Sequence, residues 1–210
     1  MGAVTPFPRR AAIVLAGGRA TRLGGADKAQ VTIDGRMLID GVLAAVTACD
    51  PVVVVGPDHL ARHGVRMVRE EPRFGGPVAA IAAALPELPG DAGETWVLAC
   101  DLPRASGVVD ALEGALMPDD ADAIVLRDAD GRSQPLAGRY RVGALRRAVG
   151  ALAVTDGVAM RRLTASLRVH EISDAHGVSI DLDTWDDVSD YRAAASAARG
   201  GINAGRKGTA

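Results

Sequence analysis

The chain has 210 residues and a formal net charge of −2, and 48% of its residues are apolar while only 3% are aromatic. This length suits one domain with a full hydrophobic core. The charge gives no general attraction to nucleic acid or to anionic membranes, and the aromatic residues are too few for base-stacking platforms. Because the sequence has no signal-peptide pattern and no run near ~18 apolar residues, we expect a cytoplasmic protein without a membrane span.

Short apolar runs followed by turn residues predict buried strands of a parallel sheet. Such strands are predicted at 13–15, 52–55, 65–68, 96–100, 123–126 and 167–172, with shorter extended segments at 30–35 and 179–183. Helical spacing and caps predict helices at 37–48, 58–63, 78–85, 106–117, 143–149, 158–163 and 185–198. A further strand at 135–140 contains Pro135, which favours an antiparallel strand near an edge of the sheet.

The alternation of strands and helices predicts an α/β fold: a single-domain Rossmann-like three-layer sandwich with a mostly parallel sheet and helices on both faces. The folded domain is predicted at 10–198, after an N-terminal extension at 1–9. Residues 199–210 are polar and contain glycine, so we expect a disordered tail. Cys49 and Cys100 lie far apart without metal-ligand spacing and are expected to be reduced thiols.

A glycine-rich loop with basic side chains follows the first strand. The paired glycines Gly17 and Gly18 allow backbone N–H groups to approach an anion, and Arg19, Arg22 and Lys28 add positive charge. The loop lacks the Gly-Lys-Ser/Thr ending of a P-loop and the G-x-G-x-x-G pattern of dinucleotide-binding proteins. The pattern therefore predicts a polyphosphate site of another kind.

Acidic residues follow several of the later strands. Ligands of such folds bind beyond the carboxyl ends of the strands, where Glu70-Glu71, Asp101 and 181–183 are expected to lie. The Asp101 carboxylate suits Mg²⁺, which takes one or two protein carboxylates together with phosphate oxygens, although a turn residue is the alternative. Asp183 is either a second such carboxylate or an N-cap of the last helix.

These motifs resemble those of a known enzyme family. The segment from Leu15-Ala16-Gly17-Gly18 to Asp27-Lys28 resembles the signature loop of nucleotidyltransferases, and is most similar to that of the molybdenum cofactor guanylyltransferases. Cys100-Asp101-Leu102-Pro103 resembles the C-D-x-P element of the same enzymes, whose Asp binds magnesium.

The resemblance implies roles for particular residues. Arg22, Lys28 and Asp101 would be catalytic, and Mg²⁺ would be held by Asp101 and by Asp183, with Asp181 an open alternative to Asp183. The implied nucleotide-binding residues are Leu15, Ala16, Gly17, Gly18, Lys28, Gly56, Glu71, Gly76 and Asp101. The chain departs from the family pattern at Glu71 in place of Asp, at Gln134 in place of His, and at Asp181 and Asp183 in place of Asn.

The implied activity is transfer of GMP from GTP to molybdopterin with release of pyrophosphate, which forms the guanine dinucleotide cofactor. The sequence Leu-Ala-Gly-Gly at 15–18 favours GTP. The alternatives are a related nucleotidyltransferase that uses CTP or another phosphorylated acceptor such as a sugar phosphate, and a nucleotide-binding module without turnover. The resemblance is also compatible with transient contact with other proteins of molybdenum cofactor biosynthesis.

Overall fold

The computed structural model describes residues 10–18 and 27–205, except the side chains of 198–205. Its strands in these ranges are β1 (Arg10–Leu15), β2 (Thr32–Ile33), β3 (Arg36–Met37), β4 (Val52–Val55), β5 (Val65–Val68), β6 (Glu94–Ala99), β7 (Ala123–Arg127), β8 (Ser133–Arg141) and β9 (Val169–Ser173). Its helices are α1 (Leu38–Ala45), α2 (Gly76–Ala84), α3 (Ala105–Gly114), α4 (Val142–Gly150), α5 (Met160–Thr164) and α6 (Trp185–Gly205). Short 3-10 turns lie at Lys28–Gln30, Asp58–Leu60 and Leu85–Glu87.

Seven of the strands form one sheet in the order β5-β4-β1-β6-β8-β7-β9. Within this sheet, β8 runs antiparallel to its two neighbours, and the other described pairs of the sheet are parallel. Strand β1 lies inside the sheet and pairs with β4 on one side and β6 on the other. The carboxyl ends of these three strands therefore meet at one edge, where the candidate site lies.

Helices cover both faces of the sheet, and alternate side chains of each strand point toward opposite helix layers. Ala12 and Val14 of β1 pack toward α1 and α3, whereas Ala11 and Ile13 pack toward α2, α4 and α5. All four side chains are inaccessible to solvent. The predicted three-layer α/β sandwich is confirmed.

The predicted place of β8 is wrong, although its antiparallel direction is confirmed. It lies inside the sheet between β6 and β7. Pro135 is tolerated there because the pairing with β7 is irregular at this point: Val125 pairs with Gly138, but the next residue pairs with Gln134. The bulge removes the need for a ladder hydrogen bond from the proline nitrogen.

A two-strand hairpin and the C-terminal helix form a smaller cluster beside the sheet. β2 and β3 are joined by Asp34 and Gly35, which both have positive φ (51° and 78°), as the two central residues of a tight hairpin turn require. Ile33 of the hairpin packs with Leu182 and with Val188 of α6. The segment 179–183 is irregular rather than a strand, and α6 extends beyond the predicted end at residue 198.

Candidate active site

The exits of β1, β5 and β6 surround a cavity of about 520 Å³, called here the larger cavity. Gly17 and Gly18 follow β1, Glu70 follows β5, and Asp101 follows β6, and all four line it. The N-terminal end of α2 closes another side through Gly76. The fold therefore brings together residues that are far apart in the sequence, as predicted from the strand exits.

Lys28 lies in the larger cavity between two carboxylates. Its Nζ donates to Oδ2 of Asp101 at 3.0 Å and also to Oδ1 of Asp183. Asp101 is largely buried, whereas the Asp183 side chain is 36% exposed. Burial by itself would lower the pKa of Lys28, but the hydrogen bonds and charges of Asp183 and Asp101 outweigh it and raise that pKa. Lys28 is therefore held as a cation.

The local chain geometry explains why Asp183 is available to Lys28. The α6 N-terminus is capped by Thr184, whose Oγ1 accepts from the Asp187 N–H at 3.1 Å. Oδ2 of Asp187 accepts in return from the backbone N–H groups of Thr184 and Asp183, at 2.7 and 3.1 Å. This reciprocal cap resembles a capping box and makes Thr184 the N-cap, so that the Asp183 side chain contacts Lys28.

A smaller cavity of about 380 Å³ adjoins the larger one. The two cavities share Asp101 and Asp183, and the walls of the smaller one include Gln134, Met160 and Asp181. Partial desolvation, together with the charges of Asp101 and Asp183, raises the pKa of Asp181 at this site. The paired carboxylates thus lie at the junction of two spaces, each able to hold part of a substrate.

Most of the predicted nucleotide-binding residues line the larger cavity: Leu15, Ala16, Gly17, Gly18, Lys28, Gly76 and Asp101. Gly56 is not among its lining residues. A Cβ on Gly56 would lie 3.0 Å from the backbone oxygen of Ala16, so this glycine permits close packing of two strand exits. Arg22 lies outside the described residues, and its catalytic role stays a prediction.

Of the two adjacent glutamates, the structure places Glu70 in the cavity. Glu70 is only 6% exposed and lines the larger cavity, whereas Glu71 is exposed and is not among the lining residues. Phe74, which the sequence reasoning did not single out, also lines the cavity and is 48% exposed. The backbone of Phe74 has a φ of 63°, which is unusual for a non-glycine residue. This backbone angle, which only the structure reveals, marks Phe74 as a candidate functional residue.

The donor set of the cavity junction fits a hard cation. Asp101 and Asp183 each place a carboxylate oxygen within hydrogen-bond distance of the same Lys28 ammonium, so the two carboxylates are close neighbours. Within the described ranges, no group of three or more His, Cys, Asp or Glu side chains is arranged to hold a metal. Two carboxylates with substrate phosphates are nevertheless a set that Mg²⁺ commonly uses.

A family profile described as the MobA-like NTP transferase domain matches residues 12–172. The chain belongs to this family. It is 31% identical to the molybdenum cofactor guanylyltransferase of Nitrobacter hamburgensis, over 80% of this chain and 84% of that protein. It is 35% identical to a probable molybdenum cofactor guanylyltransferase of Synechococcus elongatus, over 62% of this chain and 71% of that protein.

The MobA-like fold is also seen in solved structures. The molybdopterin-guanine dinucleotide biosynthesis protein A of Archaeoglobus fulgidus superposes with a TM-score of 0.68 at 24% identity, over 89% of this chain and 98% of that chain. The family membership confirms the prediction of a nucleotidyltransferase of the molybdenum cofactor guanylyltransferase type. Among the described residues, no helix combines the length and the apolar character needed to cross a membrane.

Proposed function

We propose that this protein transfers GMP from GTP to molybdopterin and releases pyrophosphate. The observation that carries the proposal is the placement of Lys28, Asp101 and Asp183 at the junction of two adjoining cavities, beyond the carboxyl ends of β1 and β6. The names of the relatives from Nitrobacter hamburgensis and Synechococcus elongatus support the choice of substrates.

The larger cavity is the proposed GTP site. Gly17 and Gly18 lie beside the phosphates in this arrangement, and Lys28 provides a cation for a charge-assisted contact with a phosphate oxygen. Such a contact also stabilises the negative charge that develops on the departing pyrophosphate. The smaller cavity is the proposed acceptor site, where the Gln134 amide and the apolar side chain of Met160 can contact a polar heterocycle.

The reaction that this arrangement supports is an in-line displacement. An oxygen of the molybdopterin phosphate attacks the α-phosphorus of GTP, a new P–O bond forms, and the bond from that phosphorus to the β-phosphate oxygen breaks. The protein contributes positioning and charge rather than a nucleophile. Asp101 and Asp183 would hold Mg²⁺, which supplies Lewis-acid stabilisation of phosphate charge when bound. A protein of the same fold from Mycobacterium tuberculosis was crystallised in complex with manganese (TM-score 0.64, 19% identity).

The proposal is tested by pyrophosphate release from GTP, CTP, ATP and UTP in the presence of Mg²⁺, with and without molybdopterin. We expect release from GTP that requires molybdopterin. Equal release from CTP would favour the cytidylyl alternative, and GTP binding without release would favour another acceptor or a binding role. Cytoplasmic location and contact with other proteins of cofactor biosynthesis stay predictions.

A further inference from the structure

One carboxylate of the larger cavity has no part in the chemistry at the phosphates. Asp27 comes directly before Lys28 and lines this cavity, with 26% of its side chain exposed. The ammonium of Lys28 contacts Asp101 and Asp183, on the far side of the cavity junction. A freely placed negative charge beside a triphosphate would weaken its binding, so the groups that hold the Asp27 carboxylate affect the site.

One oxygen of Asp27 organises the turn that carries Lys28. Asp27 is the N-cap of the 3-10 turn Lys28–Gln30, and its Oδ1 accepts from the Ala29 N–H at 3.0 Å. Ala29 is inaccessible to solvent and packs in the hydrophobic core. The placement of the Asp27 side chain and the direction in which Lys28 leaves the backbone are therefore coupled.

The other oxygen of Asp27 is held by a residue from a different part of the chain. Nε2 of His59 lies 2.7 Å from Oδ2, and the amide nitrogen of Gln30 lies 3.0 Å from the same oxygen and 3.0 Å from Nε2. Because an ionised carboxylate only accepts, Nε2 of His59 carries the proton in this contact. Gln30 belongs to the turn itself, whereas His59 connects the turn to a separate element.

That element is anchored at the exit of β4. His59 lies in the 3-10 turn Asp58–Leu60, and Leu60 is only 1% exposed and packs in the same core cluster as Ala29. The His59 side chain itself is 54% exposed and lines neither cavity. Its hydrogen bond to Asp27 therefore joins two anchored turns, and it does not fill space in the core.

The charge of Asp27 acts on the part of the cavity where Asp101 lies. Cys100 lines the same cavity, and burial, followed by the charges of Asp101 and Asp27, raises the pKa of its thiol. A shift of the Asp27 carboxylate would consequently change the electrostatics of the proposed phosphate site as well as the turn that precedes it.

We propose that His59 is a positioning residue of the nucleotide site: its Nε2–H holds the Asp27 carboxylate, and Asp27 in turn fixes the turn that orients Lys28. The inference rests on the proposed function and deepens it, because it assigns a residue outside the cavity wall to the binding of the triphosphate. The hydrogen bond also offsets the negative charge of Asp27, which would otherwise oppose the phosphates.

The test is calorimetric binding of GTP without acceptor. His59→Ala is expected to weaken GTP binding by about 3- to 10-fold, because the lost donor acts on Lys28 through Asp27, and to leave the melting temperature nearly unchanged. His63→Ala is the matched control, since His63 is an exposed histidine of the same connection between β4 and β5 and lines neither cavity. The control is expected to bind GTP as the wild type does.

Two further substitutions distinguish the hydrogen bond from a general effect on structure. In His59→Gln the amide nitrogen can take the place of Nε2, so most of the affinity lost in His59→Ala is expected to return. In His59→Asn the shorter amide does not reach Asp27, and the loss is expected to match that of His59→Ala. In an Asp27→Asn background, the effect of His59→Ala is expected to shrink to about twofold or less, because the two residues act as a pair.

Wild-type GTP affinity in both His59→Ala and His59→Asn would overturn the inference, and so would equal losses in His59→Gln and His59→Asn. The comparison of the Gln and Asn variants decides the question even if His59→Ala does not fold. An undiminished effect of His59→Ala in the Asp27→Asn background would show that His59 does not act through Asp27, and would also overturn it. Each of these results leaves the proposed function intact, whereas a wild-type protein that binds no nucleoside triphosphate would overturn both.

Discussion

The ammonium of Lys28 lies 3.0 Å from a carboxylate oxygen of Asp101, although 73 positions separate the two residues in the sequence. The contact joins the loop after β1 to the exit of β6, and Asp183 adds the segment before α6 to the same point. Three distant parts of the chain thus place one cation and two anions together. Enzymes of phosphoryl transfer use a lysine to contact the phosphates and carboxylates to hold the Mg²⁺ that neutralises phosphate charge, and this group of residues would supply both.

Lys28→Ala removes the cation of this group. We expect GTP binding to weaken by about 10- to 100-fold, because a charge-assisted hydrogen bond to phosphate is lost. Calorimetric titration with GTP measures the effect. Arg132→Ala is the matched control, since the Arg132 side chain is 73% exposed and is not among the residues that line either cavity. Equal GTP affinity in Lys28→Ala and the wild type would remove Lys28 from the proposed nucleotide site.

Asp101→Asn keeps the size of the side chain and removes its charge. We expect turnover to fall by about 100-fold or more, with a changed dependence on Mg²⁺ concentration and a nearly unchanged melting temperature. Magnesium titrations of pyrophosphate release measure this, with Asp130→Asn, an exposed aspartate, as control. Full activity with the wild-type Mg²⁺ dependence would contradict a metal role for Asp101.

Asp183→Asn and Asp181→Asn together decide which residue is the second carboxylate. Asp183 contacts the Lys28 ammonium, whereas Asp181 lines only the smaller cavity. We therefore expect Asp183→Asn to lower turnover at saturating GTP more strongly than Asp181→Asn does. The comparison is made under one set of magnesium concentrations. The reverse order would assign the second carboxylate to Asp181.

Stability at low pH depends on a pair far from the cavity. Asp122 accepts from the Arg168 guanidinium at 3.0 and 3.1 Å and from its backbone N–H at 3.0 Å. These bonds to Arg168 lower the pKa of Asp122 from 3.8 to about 2. Because the folded-state pKa is the lower one, the stabilisation is present above pH 3.8 and is lost as the pH falls through about 2.

Asp122→Asn is expected to lower the melting temperature by a few degrees at pH 7, and the difference from the wild type is expected to shrink between pH 4 and pH 2. The effect is modest because Arg168 is 66% exposed. Thermal unfolding across this pH range measures the difference. A difference that stays constant down to pH 2 would show that the pair does not titrate as described.

Gly56 was predicted to contact the nucleotide, whereas the structure gives it a packing role, and substitution distinguishes the two roles. Gly56→Ala would bring a Cβ to 3.0 Å from the backbone oxygen of Ala16, and we expect a loss of about 1–3 kcal/mol in unfolding free energy. In Gly41→Ala, in α1, the new Cβ would have no atom within 4 Å apart from the neighbouring residues and the backbone of its own helix, and the change is expected to stabilise by about 0.5–1 kcal/mol. Urea denaturation measures both. A fully stable Gly56→Ala with weakened GTP binding would instead support the predicted nucleotide contact.

The fold was predictable from local pattern because its inner parallel strands β1, β4 and β6 are largely apolar. The run Val52–Val55 is buried at every position, and four successive valines are typical of a strand inside a parallel sheet. The pattern could not place β8, because Pro135 favours an edge strand. The bulge that accommodates Pro135 forms only through pairing with β7, which the local sequence of β8 does not reveal. The position of a strand within a sheet is a property of the whole topology.

The candidate site was predictable down to the strand exits but not to each side chain. Of two adjacent glutamates, only Glu70 lines the cavity, and both lie beyond the end of β5 at Val68, where strand alternation no longer fixes the side-chain directions. The sequence has a glutamate at both positions, so residue type alone could not show which of the two side chains lines the cavity. Asp183 had two predicted roles, an N-cap of α6 or a carboxylate of the site. The sequence could not choose between them, and the structure shows that Thr184 caps α6 while Asp183 contacts Lys28.

The most direct test follows the α-phosphate of GTP. The protein is incubated with GTP labelled at the α-phosphorus, molybdopterin and Mg²⁺, in parallel with Lys28→Ala and Asp101→Asn. The account predicts that the label appears in a molybdopterin dinucleotide, with one pyrophosphate released for each, and that both variants lose most of this transfer. Absence of label in the acceptor with folded wild-type protein, or undiminished transfer in both variants, would contradict it.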